Sequence, residues 1–140
     1  MKKKIFLSGV GGMLGEAFYK IFSKNYELKC TDIDVNEKWL EHLDFRDAEK
    51  YILMVENFNP DYLFHIGAYT DLEFCEKNQE ETFKTNTESV KTAVKISNVK
   101  NIPLLYISTA GIFDGKKNSY DEDDTPKPIG TYAISKYEAE

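Results

Sequence analysis

Three glycines follow the first apolar run of the chain at a regular spacing. The run, Lys4 to Ser8, ends at Gly9, and Gly12 and Gly15 come next. A short apolar run that stops at a glycine predicts a buried strand, and the apolar residues at helical spacing behind it predict a helix. In such a turn Gly9 permits a sharp bend, Gly12 lets a pyrophosphate approach the backbone, and Gly15 lets the helix pack on the strand. The helix N-terminus would then hold the phosphates of a dinucleotide.

Strands and helices alternate along the rest of the chain. Further strands are predicted at Tyr26 to Thr31, Tyr62 to Ile66 and Leu104 to Ser108, and further helices from Ala48 to Asn59-Pro60, from about Glu80 to Lys100 and from Thr131 onward. This alternation predicts an α/β fold with a doubly wound parallel sheet, Rossmann-like, with a strand order of about 3-2-1-4-5 and helices on both faces. The continuously apolar Leu104 to Ser108 predicts a central strand covered on both faces.

Asp32 closes the second predicted strand, at the distance from the glycines where an acidic residue binds the adenosine ribose hydroxyls. A carboxylate there repels a 2′-phosphate, which favours NADH, with NADPH still possible. Asp34 competes for the role, and no arginine comes directly after either residue. A solvated loop aspartate is the alternative interpretation of Asp32.

The composition narrows the class of protein. With 140 residues, of which 41% are hydrophobic, the chain suits one domain over residues 1–140. A formal net charge of -6 argues against nucleic acid, and no apolar run is long enough to span a membrane, so a cytoplasmic protein is expected. Cys30 and Cys75 have no metal or redox spacing and are predicted to be buried thiols. The acidic run Asp121 to Asp124 is expected to face solvent, without a metal.

Tyr132 and Lys136 form a Y-x-x-x-K pair, which a helix places on one face. The ammonium would stabilise a phenolate and make the tyrosine useful for acid/base chemistry. In a chain with nine tyrosines and many lysines, one such pair is expected by chance. The pair therefore indicates a function only together with the neighbouring segments.

Those segments resemble the dTDP-4-dehydrorhamnose reductases, a group of the extended short-chain dehydrogenase/reductases. The sequence I-S-T-A-G-I-F-D-G at Ile107 to Gly115 is similar to their S-T-x-x-V-F-D-G segment. Ordered matches also occur at His65 to Asp71, at Asn86, at Asp44 to Asp47, and from Tyr120 to the Y-x-x-x-K pair.

The resemblance implies NAD(P)H-dependent reduction of a 4-keto-6-deoxy sugar nucleotide, as in dTDP-rhamnose biosynthesis. Thr109 would bind the substrate carbonyl, Tyr132 would donate the proton, and Lys136 would hold the cofactor ribose and tune the tyrosine. The implied cofactor-binding residues are Gly9, Gly12, Met13, Leu14, Gly15, Asp32, Asp44, Phe45, Gly67, Ala68, Tyr69 and Lys136.

Two departures from the family leave other functions open. Ala110 stands where the reductases carry an acidic residue. Ala110 and Gly111 also replace the Asp-Glu pair of the dehydratases, which argues against a dehydratase, while an NAD-dependent epimerase or a non-catalytic regulatory subunit stays open. The last predicted helix has no C-cap signal such as glycine or asparagine, so the sequence is expected to stop inside it. Family enzymes are about twice as long, so the C-terminal substrate-binding part is expected to be absent. Little would then dock the helix of Tyr132, turnover would be absent, and the uncovered face would self-associate or bind a partner.

Overall fold

A computed structural model describes all residues, 1–140, and the chain divides into two structural units. The sheet unit comprises Met1–Ala68 and Ser89–Ile107, and the helical unit comprises Tyr69–Glu88 and Ser108–Glu140. The prediction that residues 1–140 form one domain stays a prediction. In chain order the elements are β1 (Lys4–Ser8), α1 (Met13–Phe22), β2 (Glu27–Asp32), β3 (Leu40–His42), α2 (Ala48–Phe58), β4 (Tyr62–His65), α3 (Leu72–Lys77), α4 (Gln79–Phe83), a π-helical segment (Lys84–Glu88), α5 (Ser89–Lys100), β5 (Leu104–Tyr106), a 3-10 turn (Ala110–Ile112) and α6 (Thr131–Tyr137).

All five strands belong to one parallel sheet in the order β3-β2-β1-β4-β5. The predicted doubly wound fold and strand order are therefore confirmed. β1 lies in the middle of the sheet, and its residues from Ile5 to Ser8 are buried. Because parallel strands end at one edge, the segments that follow β1, β2 and β4 come out side by side.

Alternate side chains of β1 enter two hydrophobic cores. Phe6 packs with residues of α2 and α5, including Tyr51, while Ile5 and Leu7 pack with residues of α1 on the opposite face. Helices therefore cover both faces of the sheet, as predicted. Cys30 belongs to the second core, and its burial raises the pKa of the thiol to about 12. Cys75 is buried as well, so both are free buried thiols, as predicted.

The strand predictions are wrong at the two ends of the sheet. β3 was not predicted, because Leu40–His42 is too short to show a period. The last strand is shorter than predicted, covering Leu104–Tyr106, and all three of its residues are only half-buried. β5 pairs with β4 alone and lies at the sheet edge, so it is not a central strand.

The predicted helix from Glu80 to Lys100 is confirmed in extent, since residues 79–100 are helical throughout, but it is not one regular α-helix. Just before it, Asn78 leaves helical geometry at φ -129° and ψ 58°, which separates α3 from α4. The π-helical segment Lys84–Glu88 then interrupts the regular helix, and it buries three successive polar residues, Thr85, Asn86 and Thr87. Helical periodicity predicts helix here but gives no sign of a change in helix type.

The last helix, α6, is better packed than predicted. It covers Thr131–Tyr137, and after it the backbone N–H groups of Ala139 and Glu140 bond carbonyls three residues back. Four of its residues are buried, namely Thr131, Ala133, Ser135 and Lys136. The expectation that little docks this helix is therefore wrong. None of the helices has the combined length and apolar character needed to cross a membrane.

Candidate functional site

The glycine loop between β1 and α1 is shaped by close backbone contacts. Gly9 has φ +73°, and a Cβ at that position would lie 2.2 Å from the Cα of Gly67. A Cβ on Gly15 would lie 2.0 Å from the carbonyl oxygen of Val10. At Gly12, by contrast, a Cβ would meet no atom within 4 Å. Two glycines are therefore required by the fold, while the third leaves open space at the start of α1.

That space adjoins the N-terminus of α1. Gly12 is the N-cap, and no side chain caps the helix. The first N–H groups of a helix have no intrahelical partners and carry its positive dipole end, so they suit an anion. Met13 is 92% exposed and Leu14 is 46% exposed, so neither side chain is used by the core.

Asp32, the last residue of β2, is linked to the glycine loop. Its Oδ2 accepts a hydrogen bond from the backbone N–H of Gly11 at 2.8 Å, and its Oδ1 accepts one from Asp34 N–H at 3.1 Å. A Cβ on Gly11 would lie 2.8 Å from the Asp32 carboxyl carbon, so a fourth glycine is needed here. Asp34 is exposed. The structure places Asp32, and not Asp34, against the glycine loop.

The segments after β3 and β4 contribute the other predicted cofactor residues of the sheet unit. The Phe45 ring lies edge-on to the His65 ring, with centroids 4.7 Å apart, and its edge faces Gly67. Asp44 binds the side chain of Arg46 through both carboxylate oxygens, at 2.7 Å and 2.9 Å. Ala68 follows in the loop and is half-buried.

A fully buried polar cluster lies directly beneath the loop. The Ser8 hydroxyl is 2.9 Å from the Tyr51 hydroxyl and 3.0 Å from His65 Nδ1. The other ring nitrogen of His65, Nε2, is 3.1 Å from the Ser89 hydroxyl. Burial raises the pKa of Tyr51, against a smaller lowering by the hydrogen bond with Ser8. His65 is therefore bonded on both ring nitrogens inside the core.

In the helical unit, Asn86 joins the chain after β4 to α6. Its Oδ1 accepts from the Tyr69 backbone N–H at 2.8 Å, and its Nδ2 donates to the Tyr69 carbonyl at 3.0 Å and to the Ser135 hydroxyl at 3.1 Å. Ser135 donates in turn to the carbonyl of Tyr132 at 2.8 Å. The Tyr69 side chain contacts the Phe74 ring and donates to Glu81, so this predicted cofactor residue is held within its own unit.

Tyr132 and Lys136 both lie in α6, four residues apart and thus on one face. Tyr132 is half-buried, whereas Lys136 is 3% exposed. Desolvation lowers the pKa of the Lys136 ammonium to about 8, opposed by attraction to Glu140. An ammonium with so low a pKa can change its charge close to neutral pH.

Thr109 begins the 3-10 turn that packs on α6. Its hydroxyl accepts from the Gly111 backbone N–H at 3.1 Å, and the Cβ position of Gly111 is 3.8 Å from the Ala133 methyl. A cavity of about 670 Å³ opens beside the turn and is lined by Thr109, Ala110 and residues of the following loop, with carboxylates at Asp121, Glu122, Asp124 and Glu140. No group of three or more His, Cys, Asp or Glu side chains is arranged to hold a metal ion.

Comparison with known proteins shows the family of the chain. The family model described as the RmlD substrate binding domain matches residues 2–140. The chain belongs to this family. It is 26% identical to the dTDP-4-dehydrorhamnose reductase of Aggregatibacter actinomycetemcomitans, covering 98% of the chain and 45% of the relative. It is 27% identical to the methionine adenosyltransferase 2 subunit beta of Xenopus tropicalis, covering 99% of the chain and 42% of the relative.

A solved structure from the same family is equally similar. The dTDP-4-dehydrorhamnose reductase of Bacillus anthracis, in complex with NADP, superposes with a TM-score of 0.89 at 26% identity, covering 99% of this chain and 48% of that one. This RmlD-family chain therefore spans about half the length of the relatives that it matches.

Sequence reasoning missed Gly11 and gave Asn86 no structural role. Gly11 lies outside the regular glycine spacing, and only its contact with Asp32 explains it. Asn86 matched the family's asparagine, but its three hydrogen bonds, two to the Tyr69 backbone and one to Ser135, arise only in the folded chain. A run of three polar residues in a predicted helix, Thr85 to Thr87, is the signal that would have indicated a special role.

Proposed function

We propose that this RmlD-family chain forms the cofactor-binding part of a reductase that converts a 4-keto-6-deoxy sugar nucleotide to the corresponding alcohol. The observation that carries the proposal is the contact of the Thr109 turn with α6, which brings the segment of Thr109 against the helix of Tyr132 and Lys136. In this assignment Thr109 binds the substrate carbonyl, Tyr132 donates the proton, and Lys136 favours the phenolate that remains.

The sheet unit supplies a fitting place for a nicotinamide dinucleotide. The uncapped start of α1 and the open space at Gly12 suit a pyrophosphate, and the carboxylate of Asp32 suits ribose hydroxyls. When bound, the reduced nicotinamide supplies a hydride. We propose NADH as the preferred form, because a 2′-phosphate would meet the charge of Asp32, and the only arginine of the chain, Arg46, binds Asp44.

Lys136 acts on the proton rather than on the hydride. Its burial favours the neutral amine, so the ammonium gains most when a negative charge develops next to it. A phenolate at Tyr132 would be such a charge. The Tyr132 phenol would therefore release its proton more easily when Lys136 is protonated.

The proposal is tested by cofactor binding and turnover. The fluorescence of NADH is followed on titration with the chain, and NADH oxidation is then followed by absorbance after addition of a dTDP-4-keto-6-deoxyhexose. Tyr132→Phe is expected to lower turnover by about 10²-fold or more while leaving NADH affinity unchanged. Equal turnover of the variant would remove Tyr132 from the role, and absence of both binding and turnover would refute the enzymatic proposal.

A non-catalytic subunit is the second candidate. It is supported by the identity of 27% to a methionine adenosyltransferase subunit, which equals the identity to the reductases within one or two percent. It is also supported by Ala110, which leaves one wall of the cavity without an acidic group. A chain that binds NADH, shows no turnover of several keto-sugar nucleotides, and forms dimers or a complex in sedimentation experiments would favour this candidate.

A further inference from the structure

Glu76 in α3 holds the first residue of α6 with both of its carboxylate oxygens. Its Oε1 accepts a hydrogen bond from the Thr131 backbone N–H at 2.5 Å, and its Oε2 accepts one from the Thr131 hydroxyl at 3.1 Å. The first N–H groups of a helix lack intrahelical partners, and a carboxylate there also meets the positive end of the helix dipole. The N-cap residue of α6 is a glycine without a side chain, so another helix provides the cap.

Gly130 makes room for that carboxylate. It has φ +85°, and a Cβ at this position would lie 2.9 Å from Glu76 Oε1. A left-handed backbone and the close approach of an oxygen both favour glycine. The chain before α6 is therefore shaped around Glu76.

The helix that carries Glu76 is itself fixed at both ends. Asp71 caps its start by accepting from the Phe74 backbone N–H at 2.8 Å, and Asn78 at its end donates to the Phe74 carbonyl at 2.9 Å. Cys75, next to Glu76, is fully buried. Because hydrogen bonds fix both ends of α3, Glu76 holds Thr131 from a well-anchored helix.

We propose that Glu76 is a positioning residue for Tyr132. Tyr132 follows Thr131 directly, so the carboxylate sets where the phenol-bearing turn begins, while Asn86 holds the same helix at Ser135. The two contacts fix the helix on both sides of Tyr132 along the chain. This assignment rests on the proposed function, in which the Tyr132 phenol donates the proton.

Fluorine NMR of the full chain labelled with 3-fluorotyrosine tests the position of Tyr132 without any substrate. The Tyr132→Phe variant assigns its resonance among the nine tyrosines. Glu76→Ala is expected to shift and broaden that resonance, Glu76→Gln to move it less because one acceptor oxygen remains, and Glu73→Gln to leave it unchanged. Glu73 is the matched control, since it lies in the same helix and pairs with Lys77.

Hydrogen exchange gives a second measure of the same contact. The Thr131 amide should exchange at least about tenfold faster in Glu76→Ala, because its acceptor is lost. A Tyr132 resonance that stays in place in Glu76→Ala would overturn the proposal. Should Glu76→Ala fail to fold, Glu76→Gln decides alone, and an unmoved resonance in that variant counts against it.

Kinetics separate positioning from substrate binding. Glu76→Gln should lower kcat and leave both the KM for the sugar nucleotide and the NADH affinity unchanged, because Glu76 is bonded to Thr131, which is assigned to neither ligand. A raised KM with unchanged kcat would contradict a positioning role. If the unaltered chain neither binds NADH nor shows turnover, the proposed reduction fails, and the fluorine spectra still decide whether Glu76 positions Tyr132.

Discussion

The carboxylate of Asp32 is bound to the backbone N–H of Gly11 at 2.8 Å, so the acidic end of β2 and the glycine loop form one structure. The same carboxylate receives the N–H of Asp34. A residue expected to select the cofactor therefore also holds the loop that would bind the phosphates.

Replacing Asp32 should consequently affect both stability and cofactor preference. Asp32→Ala removes the acceptor of two backbone N–H groups and is expected to lower the free energy of unfolding by about 1–2 kcal/mol. It should also narrow the preference for NADH over NADPH. Urea unfolding and fluorescence titration with both cofactors measure the two effects. Asp34→Ala, at an exposed position, should change neither, and equal effects of the two substitutions would contradict the assignment.

The glycines of the loop should separate into structural and ligand-facing positions. Gly9→Ala places a Cβ on the backbone of Gly67 at a positive φ, so it is expected to destabilise the chain by about 2 kcal/mol or more. Gly12→Ala meets no protein atom and should leave the melting temperature nearly unchanged while weakening NADH binding. Calorimetry and titration of both variants check this. A strongly destabilised Gly12→Ala would show that the open space is not reserved for a ligand.

Burial of Lys136 should make stability rise with pH. Its pKa is about 8 in the folded chain against 10.5 for an ordinary lysine. The unfolded chain therefore binds more protons between these values, and the cost of the buried charge is complete below pH 8 and disappears above about pH 10.5. Lys136→Met is expected to be more stable than the natural chain by about 1–3 kcal/mol at pH 7, with the difference vanishing near pH 10.5.

Urea unfolding at several pH values measures this difference. Lys38→Met, at an exposed position, is the control and should show no such pH dependence. A Lys136→Met variant that is less stable at every pH would mean that contacts of the ammonium outweigh its desolvation.

Loss of a tyrosine hydroxyl should cost more stability in the buried cluster under the loop than at the surface. Tyr51→Phe removes one hydroxyl from a fully buried set and is expected to cost about 1–2 kcal/mol of unfolding free energy. Tyr62→Phe, whose exposed hydroxyl binds Lys3, should cost less than about 0.5 kcal/mol. Chemical denaturation compares the two variants, and equal costs would show that the cluster adds no stability.

The fold was predictable because its determinants are local. The glycine spacing after β1, the apolar runs, and Asn59-Pro60 after α2 are visible in short windows, and together they gave the strand order. β3 was missed because three residues are too few to show the alternation of apolar and polar side chains that predicts a strand. The edge position of β5 was missed because strand composition cannot report which neighbours are present.

The candidate site was less predictable, because its contacts join residues far apart in sequence. Tyr132 and Lys136 were identified through resemblance, and their roles stay predictions. The bonds of Glu76 to Thr131 and of Asn86 to Ser135 arise only when separate helices pack. Even the burial of Lys136, which decides its charge, depends on tertiary packing and not on its neighbours in sequence.

The central place of β1 has a consequence for biosynthesis. β1 leaves the ribosome before either of its neighbours in the sheet, and its Ile5 pairs with Leu28 on one side and with Tyr62 on the other. One flank can form early, but the other must wait until β4 has emerged from the exit tunnel. During that interval a strongly apolar strand edge is open, which is the condition under which nascent chains engage chaperones or mispair.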